Sequence, residues 1–329
     1  MKIGWSTWSE TLVSHKVDSS GDAVWTLPLW QELKNRGHEI VWLQSHMGLP
    51  SGTELMNNIE DVDVAFFYWR WPFASKDKRF TARNQCFREQ NRLISLFVGK
   101  NIPVLVFDGD HMILDNQVKV LHKAGVRLYR PELNILDKRF KQLIYPYPFS
   151  EDMLTIDQMP KSIPHTELIY IGNNYGRYDQ FLKYVGTASE LNVNTKVYGN
   201  WLEESLERES PEKIQEDSPH IDFRDRIPYV DVDKYLSSSW TTIHLAKDSY
   251  NSSGFMTIRW AEAARSNCYA WVPEEFNCGE DLIKISSGGE IAKIMAFDTG
   301  FISTRLERQK EFVRDHMLMS KWIETIESF

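Results

Sequence analysis

The stretch Glu167-Leu168-Ile169-Tyr170-Ile171-Gly172-Asn173-Asn174-Tyr175-Gly176-Arg177 passes from an apolar run into a loop marked by two glycines, and helical spacing resumes at Tyr178. A short, continuous apolar segment of this kind suits a parallel strand covered on both faces. Strand, glycine loop and helix together make one βα unit. The same grammar repeats outward in both directions. Downstream, strands are expected at 195–198, 240–246 and 268–272, with helices at 178–191, 232–238 and 257–266 and a long C-terminal helix at 303–328. Upstream, strands are expected at 2–6, 38–44, 62–69, 102–108 and 126–129, with helices at 23–35, 78–98 and 112–123. Pro28 must fall in the first turns of its helix or kink it. Alternation of this kind predicts an α/β fold with parallel sheets. The prolines at 146, 148, 160 and 164 mark a linker. The chain is therefore read as two Rossmann-like domains, 1–160 and 161–329, with a cleft between them and the C-terminal helix free to pack back on the first. Ligands of open α/β sheets sit beyond the carboxyl ends of the strands, so residues at those ends are the candidates for chemistry.

Composition narrows the function classes. A net charge of −8 argues against nucleic acid as a partner, because duplex binding draws much of its affinity from Lys and Arg on phosphates. A local basic groove remains compatible with an acidic total, and Lys76, Lys78, Arg79, Arg83, Arg88 and Arg92 give the first half such a segment, although a charge run is usually a solvated face. Three cysteines with no CxxC pair argue against a disulfide framework or zinc ribbon and predict a reducing, cytoplasmic setting. No apolar run approaches the roughly 20 residues that span a bilayer, so no membrane partner is expected.

Four constellations carry candidate chemistry. Phe107-Asp108-Gly109-Asp110-His111 follows an apolar strand, placing a carboxylate where it can take a proton from an attacking hydroxyl. The Asp-x-Asp spacing also fits a divalent ion, with Asp108 as a ligand, and Asp-Gly fits a plain turn. Gly172, Asn173 and Arg177 suit a phosphate approached by backbone amides and gripped by a planar guanidinium. Their spacing departs from the three-glycine dinucleotide fingerprint, which argues against a nicotinamide. Arg259 and Glu262 lie three apart on one helix face, the guanidinium positioned for phosphate and the carboxylate for ribose hydroxyls; an ordinary surface pair has the same spacing. In Phe66-Phe67-Tyr68-Trp69-Arg70-Trp71-Pro72-Phe73, the residues Trp69, Arg70 and Trp71 can line a pocket for a stacked or extruded base, or equally form a packed core edge.

Taken together, these residues resemble the bacteriophage DNA glucosyltransferases that act on hydroxymethylcytosine, enzymes of GT-B fold. The likeness is strongest over 167–275, through Tyr198-Gly199-Asn200, Asp222-Phe223-Arg224-Asp225-Arg226-Ile227-Pro228, and Tyr250-Asn251 to Thr257-Ile258-Arg259-Trp260-Ala261-Glu262. The resemblance implies that Arg177, Arg226 and Arg259 contact the diphosphate, that Ile227 meets uracil, that Gly199 and Tyr250 stand on the same side, and that Glu262 binds ribose. In the first half, 104–111 is similar to a segment ending in Asp-His, which assigns the active-site carboxylate to Asp110 with His111 beside the acceptor, while Asp22 falls near an acidic residue that approaches the donor sugar. Lys247 stands where the β-type enzyme has an aspartate.

The activity this implies is transfer of a sugar, glucose or a pentose such as arabinose, from a UDP-sugar to the hydroxyl of a hydroxymethylated pyrimidine in double-stranded phage DNA. Asp110 is the base if configuration inverts. No permanently bound cofactor is implied, and Mg or Mn is allowed without being required. A monomer in the infected host's cytoplasm is the expected form. Two other readings stay open: a GT-B enzyme acting on a small molecule or glycan, which the acidic charge favours, and a non-catalytic nucleotide-sugar or nucleic-acid binding protein.

Overall fold

The computed structural model describes residues 1–7, 21–44, 54–70, 81–146, 166–174, 176–203, 209–279, 282–297 and 299–329. Two compact units result: unit 1 is Met1–Pro148 with Met319–Phe329, and unit 2 is Phe149–Leu318.

In unit 1 the chain runs β1 (Lys2–Ser6), α1 (Gly21–Asn35), β2 (Glu39–Trp42), β3 (Glu54–Leu55), β4 (Val64–Tyr68), α2 (Thr81–Gly99), β5 (Val104–Phe107), α3 (Asp115–Lys123), β6 (Arg127–Arg130) and β7 (Phe140–Gln142). The strands form one parallel sheet in the order β3-β2-β1-β4-β5-β6-β7. Strands β4 and β5 are buried along their whole length, which explains why they read as unbroken apolar runs rather than alternating ones. Pro28 falls eight residues into α1, not in its first turns. Having no N–H, it removes one bond from the helical ladder there.

Unit 2 comprises β8 (Thr166–Ile171), a helix running from α4 (Tyr178–Phe181) through a π-helical turn (Leu182–Gly186) to Thr187–Glu190, then β9 (Thr195–Tyr198), α5 (Pro211–Asp217), β10 (Asp222–Arg224), α6 (Val232–Ser237), β11 (Ser239–Ile243), α7 (Asp248–Ser253), α8 (Arg259–Arg265), β12 (Tyr269–Pro273), β13 (Lys284–Ile285), α9 (Gly288–Phe297) and α10 (Thr299–His316). Its parallel sheet has the order β10-β9-β8-β11-β12-β13. From β8 the connections run outward one way to β9 and β10. The chain then returns to β11 on the other flank of β8. That reversal opens a crevice beyond the carboxyl ends of β8 and β11.

The C-terminal stretch expected as one helix is two. After α10, helix α11 (Met319–Glu327) belongs to unit 1. Trp322 is the reason: it is fully buried between Trp25, Phe66 and Phe107, with ring centroids 5.1, 5.7 and 5.1 Å away, and its indole N–H donates to the Ile144 carbonyl at 2.6 Å.

Candidate functional site

In unit 2, a cavity of about 270 Å³ occupies the crevice between β8 and β11. Gly172, Asn173 and Arg177 line it from the β8 loop, and Arg259 lines it from the start of α8. Residues of two constellations that the sequence marked separately thus line one cavity. Glu262 stands behind them. It is 2% exposed, and Arg259 Nη1 donates to its Oε2 at 2.5 Å. Burial disfavours the Arg259 charge, but the adjacent Glu262 carboxylate outweighs this and holds the guanidinium above its ordinary value. The Tyr229 ring also packs 5.1 Å from that guanidinium and lines the cavity. The pair neutralises itself, so Arg177 adds the net positive charge to the wall.

The loop that presents Gly172 and Asn173 is stiffened from its neighbour. Gly172 N–H donates to the Tyr198 carbonyl at 2.9 Å, Trp201 Nε1 donates to the Gly172 carbonyl at 2.8 Å, and Asn200 N–H donates to Asn173 Oδ1 at 3.2 Å. Gly199 permits this lacing. Its φ of +148° is strained for any side chain, and a Cβ there would lie 2.1 Å from the Gly172 oxygen. Gly199 therefore supports the wall rather than lining it.

Three buried polar atoms at the cavity, Arg177 Nε, His244 Nε2 and Thr257 Oγ1, have no hydrogen-bond partner among the described residues. Buried polar groups are nearly always satisfied, and a polar ligand in the cavity can supply partners for all three. His244 is held between Trp260 and Phe276, with ring centroids 4.9 and 4.7 Å away. Burial first, and then the nearby Arg177 charge, push it down to about 3, so it is neutral at ordinary pH.

The other donor-side candidates lie elsewhere in unit 2. Arg226 forms an exposed pair with Glu203 at 3.0 Å. Ile227 packs with Ile171, Tyr198 and Tyr235 on a small apolar cluster, two residues before Tyr229. Tyr250 is buried and stacks on Phe255 at 4.0 Å.

In unit 1, β5 ends at Phe107 and the predicted loop follows. Asp108 is 1% exposed and fully engaged: it accepts from Met112 N–H at 2.7 Å, from Ile113 N–H at 3.4 Å, and from Arg130 Nε and Nη2 at 2.9 and 2.8 Å. Its lone pairs are already used to turn the loop and pair Arg130, and no cluster of three potential metal ligands occurs among the described residues. Asp110 is left as the carboxylate at the surface of the loop, only partly buried, accepting from Tyr68 Oη at 3.2 Å. His111 has a φ of +57° and places Nε2 2.5 Å from the buried Glu132 carboxylate. A histidine in the left-handed region is a strained placement of the sort found at functional loops.

Trp69 and Arg70 are both 2% exposed. Trp69 packs edge-on against Phe87 in the core, and Arg70 is held by Gln44 Oε1 at 2.6 Å while Gln90 bonds its backbone. Trp71 and the Asp22 side chain lie outside the described residues.

His244, Tyr229, Tyr145 and Glu132 were not marked in the sequence; Thr257 and Tyr68 stood inside quoted motifs without a role. His244 had a usable signal, since it stands one residue past the end of β11. The expected strand ran on to 246 and hid it.

No protein-family model matches the chain, and no curated protein matches its sequence. Among solved structures, it is similar to the T4 phage β-glucosyltransferase in complex with UDP and Mn2+, at 13% identity and a TM-score of 0.62, over 100% of this chain and 99% of that one. The T4 phage enzyme in complex with its UDP-glucose substrate gives 12% and 0.61 with the same coverage. AviGT4, a glycosyltransferase involved in avilamycin A biosynthesis, gives 12% and 0.53, over 93% of this chain and 88% of that one. The fold is that of the GT-B glycosyltransferases.

Proposed function

We propose that this chain is a UDP-sugar-dependent glycosyltransferase whose acceptor is a hydroxymethylated pyrimidine, first 5-hydroxymethylcytosine, in double-stranded phage DNA. One observation carries the donor side: Arg177, Arg259 with Glu262 paired behind it, and three unsatisfied polar atoms meet at a single cavity at the sheet's switch point. A nucleoside diphosphate matches that wall. Its phosphates take the guanidinium groups of Arg177 and Arg259, with Arg226 as the third, its ribose hydroxyls take Glu262, and Ile227, two residues before Tyr229, meets the base. The charge that builds on the departing diphosphate falls on donors already in place, which is where preorganised electrostatics lower a barrier. On the acceptor side, Asp110 takes the proton of the attacking hydroxyl as the new bond to the sugar carbon forms and the old sugar–phosphate bond breaks. Likeness to a protein described as a DNA-modifying enzyme acting on uridine diphosphoglucose supports the choice of DNA as acceptor. The protein is proposed to work as a monomer in the host cytoplasm, with Mg or Mn not required.

Incubation of hydroxymethylated duplex DNA with a panel of UDP-sugars, followed by mass spectrometry of the nucleosides, tests the reading. A sugar mass on the modified base is expected, lost in Asp110→Asn with UDP affinity kept. Full activity of that variant would reject Asp110. The net charge of −8 favours a second reading, a small-molecule or glycan acceptor. UDP release with such acceptors and never with DNA would establish it.

A further inference from the structure

The three unpartnered atoms at the unit 2 cavity call for different ligand groups. Arg177 Nε–H can only donate, and the Thr257 hydroxyl can donate or accept. An ionised diphosphate offers only acceptors, so it satisfies both. His244 Nε2 differs. Burial first and then the Arg177 charge keep the imidazole neutral, and a neutral ring carries one N–H. The ring makes a hydrogen bond to the Phe255 backbone that favours the proton, so its N–H goes there. Nε2 is the ring nitrogen without a partner among the described residues, and it is therefore a bare lone pair.

The ring is held in place. It is buried, it packs between the Trp260 and Phe276 rings, and its own backbone N–H donates to the Trp271 carbonyl at 3.0 Å. Those neighbours are apolar faces, and the charge that bears on the ring is that of Arg177. Protonating Nε2 to meet a phosphate works against both burial and that charge. A lone pair at a cavity that takes a diphosphate is met instead by a hydroxyl. In a nucleoside diphosphate sugar the diphosphate is flanked by the ribose on one side and the transferred sugar on the other, and both carry hydroxyls. Glu262 presents Oε1 to the ribose while Oε2 holds Arg259, so a second acceptor serves whichever hydroxyl is left over. We infer that His244 is a specificity-determining residue of the donor site, a neutral acceptor that takes the hydrogen of a ribose or sugar hydroxyl and so selects ligands that carry it. The inference rests on the reading of this cavity as the UDP-sugar site. A buried acceptor left unpaired is costly, and a site built to bond a hydroxyl rejects the analogue that lacks it.

Titration calorimetry of the full chain with UDP, 2′-deoxy-UDP, 3′-deoxy-UDP and UDP-glucose tests this, in the parent and in His244→Phe, which keeps a ring between Trp260 and Phe276 and removes the lone pair. His244→Phe is expected to bind UDP-glucose about 3- to 10-fold more weakly. If the ribose is the source, UDP is weakened equally, and loss of the bonding hydroxyl from UDP costs the parent about 10-fold and the variant less than about twofold. If the transferred sugar is the source, UDP binds parent and variant alike and the loss appears with UDP-glucose alone. His244→Gln, whose amide oxygen restores an acceptor, is expected to recover part of the affinity. Proton uptake, from the same titrations in buffers of different ionisation enthalpy at about pH 7.5, is expected to be equal in parent and His244→Phe. Uptake by the parent alone would make His244 a cation on phosphate and overturn the inference. UDP-glucose bound equally by parent and His244→Phe, or one uniform loss across all four ligands, would also overturn it. A parent that binds neither UDP nor UDP-glucose would reject the donor reading itself, and the inference with it.

Discussion

Replacing Arg259 by methionine removes one half of a pair whose other half has nowhere to go. The Glu262 carboxylate is 2% exposed, and its Oε2 has the Arg259 guanidinium at 2.5 Å. Taking one partner from a buried ion pair typically costs about 3–5 kcal/mol, because the remaining charge is left without compensation. The Arg259 side chain is 31% exposed, so solvent shares part of the load and the low end applies, about 3 kcal/mol. For a domain of about 150–250 residues each kcal/mol moves the melting temperature by about 2–4 °C. The transition of unit 2 is therefore expected to fall by about 6–12 °C in calorimetry. Two controls give the prediction its shape. Arg259→Met with Glu262→Met removes both charges and is expected to recover most of the loss, since the apolar pair leaves no orphan. UDP affinity by titration calorimetry is expected to fall about 10- to 100-fold in Arg259→Met, the worth of one charge-assisted hydrogen bond to phosphate. A melting temperature unchanged in Arg259→Met, or a double variant no more stable than the single one, would refute the energetic reasoning. UDP affinity unchanged beside a lowered melting temperature would refute the binding role and leave Arg259 as a structural counterion.

His244 gives a pH signature. Its value of about 3 lies below the ~6.5 of an unfolded histidine, so between the two the unfolded chain binds a proton that the folded chain does not. Its stabilisation is complete above about pH 6.5 and is lost as the pH falls toward about 3, by up to about 1.4 kcal/mol per pH unit. Urea unfolding at about pH 7 and about pH 4.5 is expected to differ less in His244→Phe than in the parent, and an equal difference would reject the neutral, buried histidine. Gly199→Ala must find room for a Cβ 2.1 Å from the Gly172 oxygen at a φ of +148°. A loss of about 1–3 kcal/mol from strain alone is expected, with weaker UDP binding as the Gly172–Asn173 loop shifts; full stability and affinity would show the two loops to be independent. Arg130→Met strips Asp108 of its cation and is expected to cost about 3 kcal/mol, whereas excess chelator is expected to leave the parent's melting temperature unchanged. A drop on chelation would show that the parent holds a metal.

Much of the architecture was readable because parallel strands buried on both faces announce themselves. β1 and β9 fall on the expected residues, and β4, β5, β8 and β12 within two positions of them. The short edge strands β3, β7, β10 and β13 were not expected. Two or three residues leave no periodicity to detect, and their pairing comes from the neighbour rather than from their own pattern. The same division runs through the candidate site. Gly172, Asn173, Arg177 and Arg259 were legible because glycines and arginines at strand and helix ends are locally unusual. Tyr68 and Tyr145 were not, since a tyrosine in an apolar run looks like core until its hydroxyl is seen beside Asp110. Arg70 shows the limit from the other side: a charge beside tryptophans suggests a surface pocket, whereas the side chain is buried, with Nη1 donating to Gln44 and Gln90 bonding its backbone.

The eleven residues from Met319 onward have a temporal consequence. They complete the aromatic interior of unit 1, yet they are made after all of unit 2. As the chain emerges from the ribosome, the second half can close its sheet while the first still has a vacant slot beside Trp25 and Phe107. The half that begins synthesis is therefore the last to finish folding. A clipped or stalled chain lacking Trp322 would leave unit 1 with an open, greasy flank and unit 2 intact.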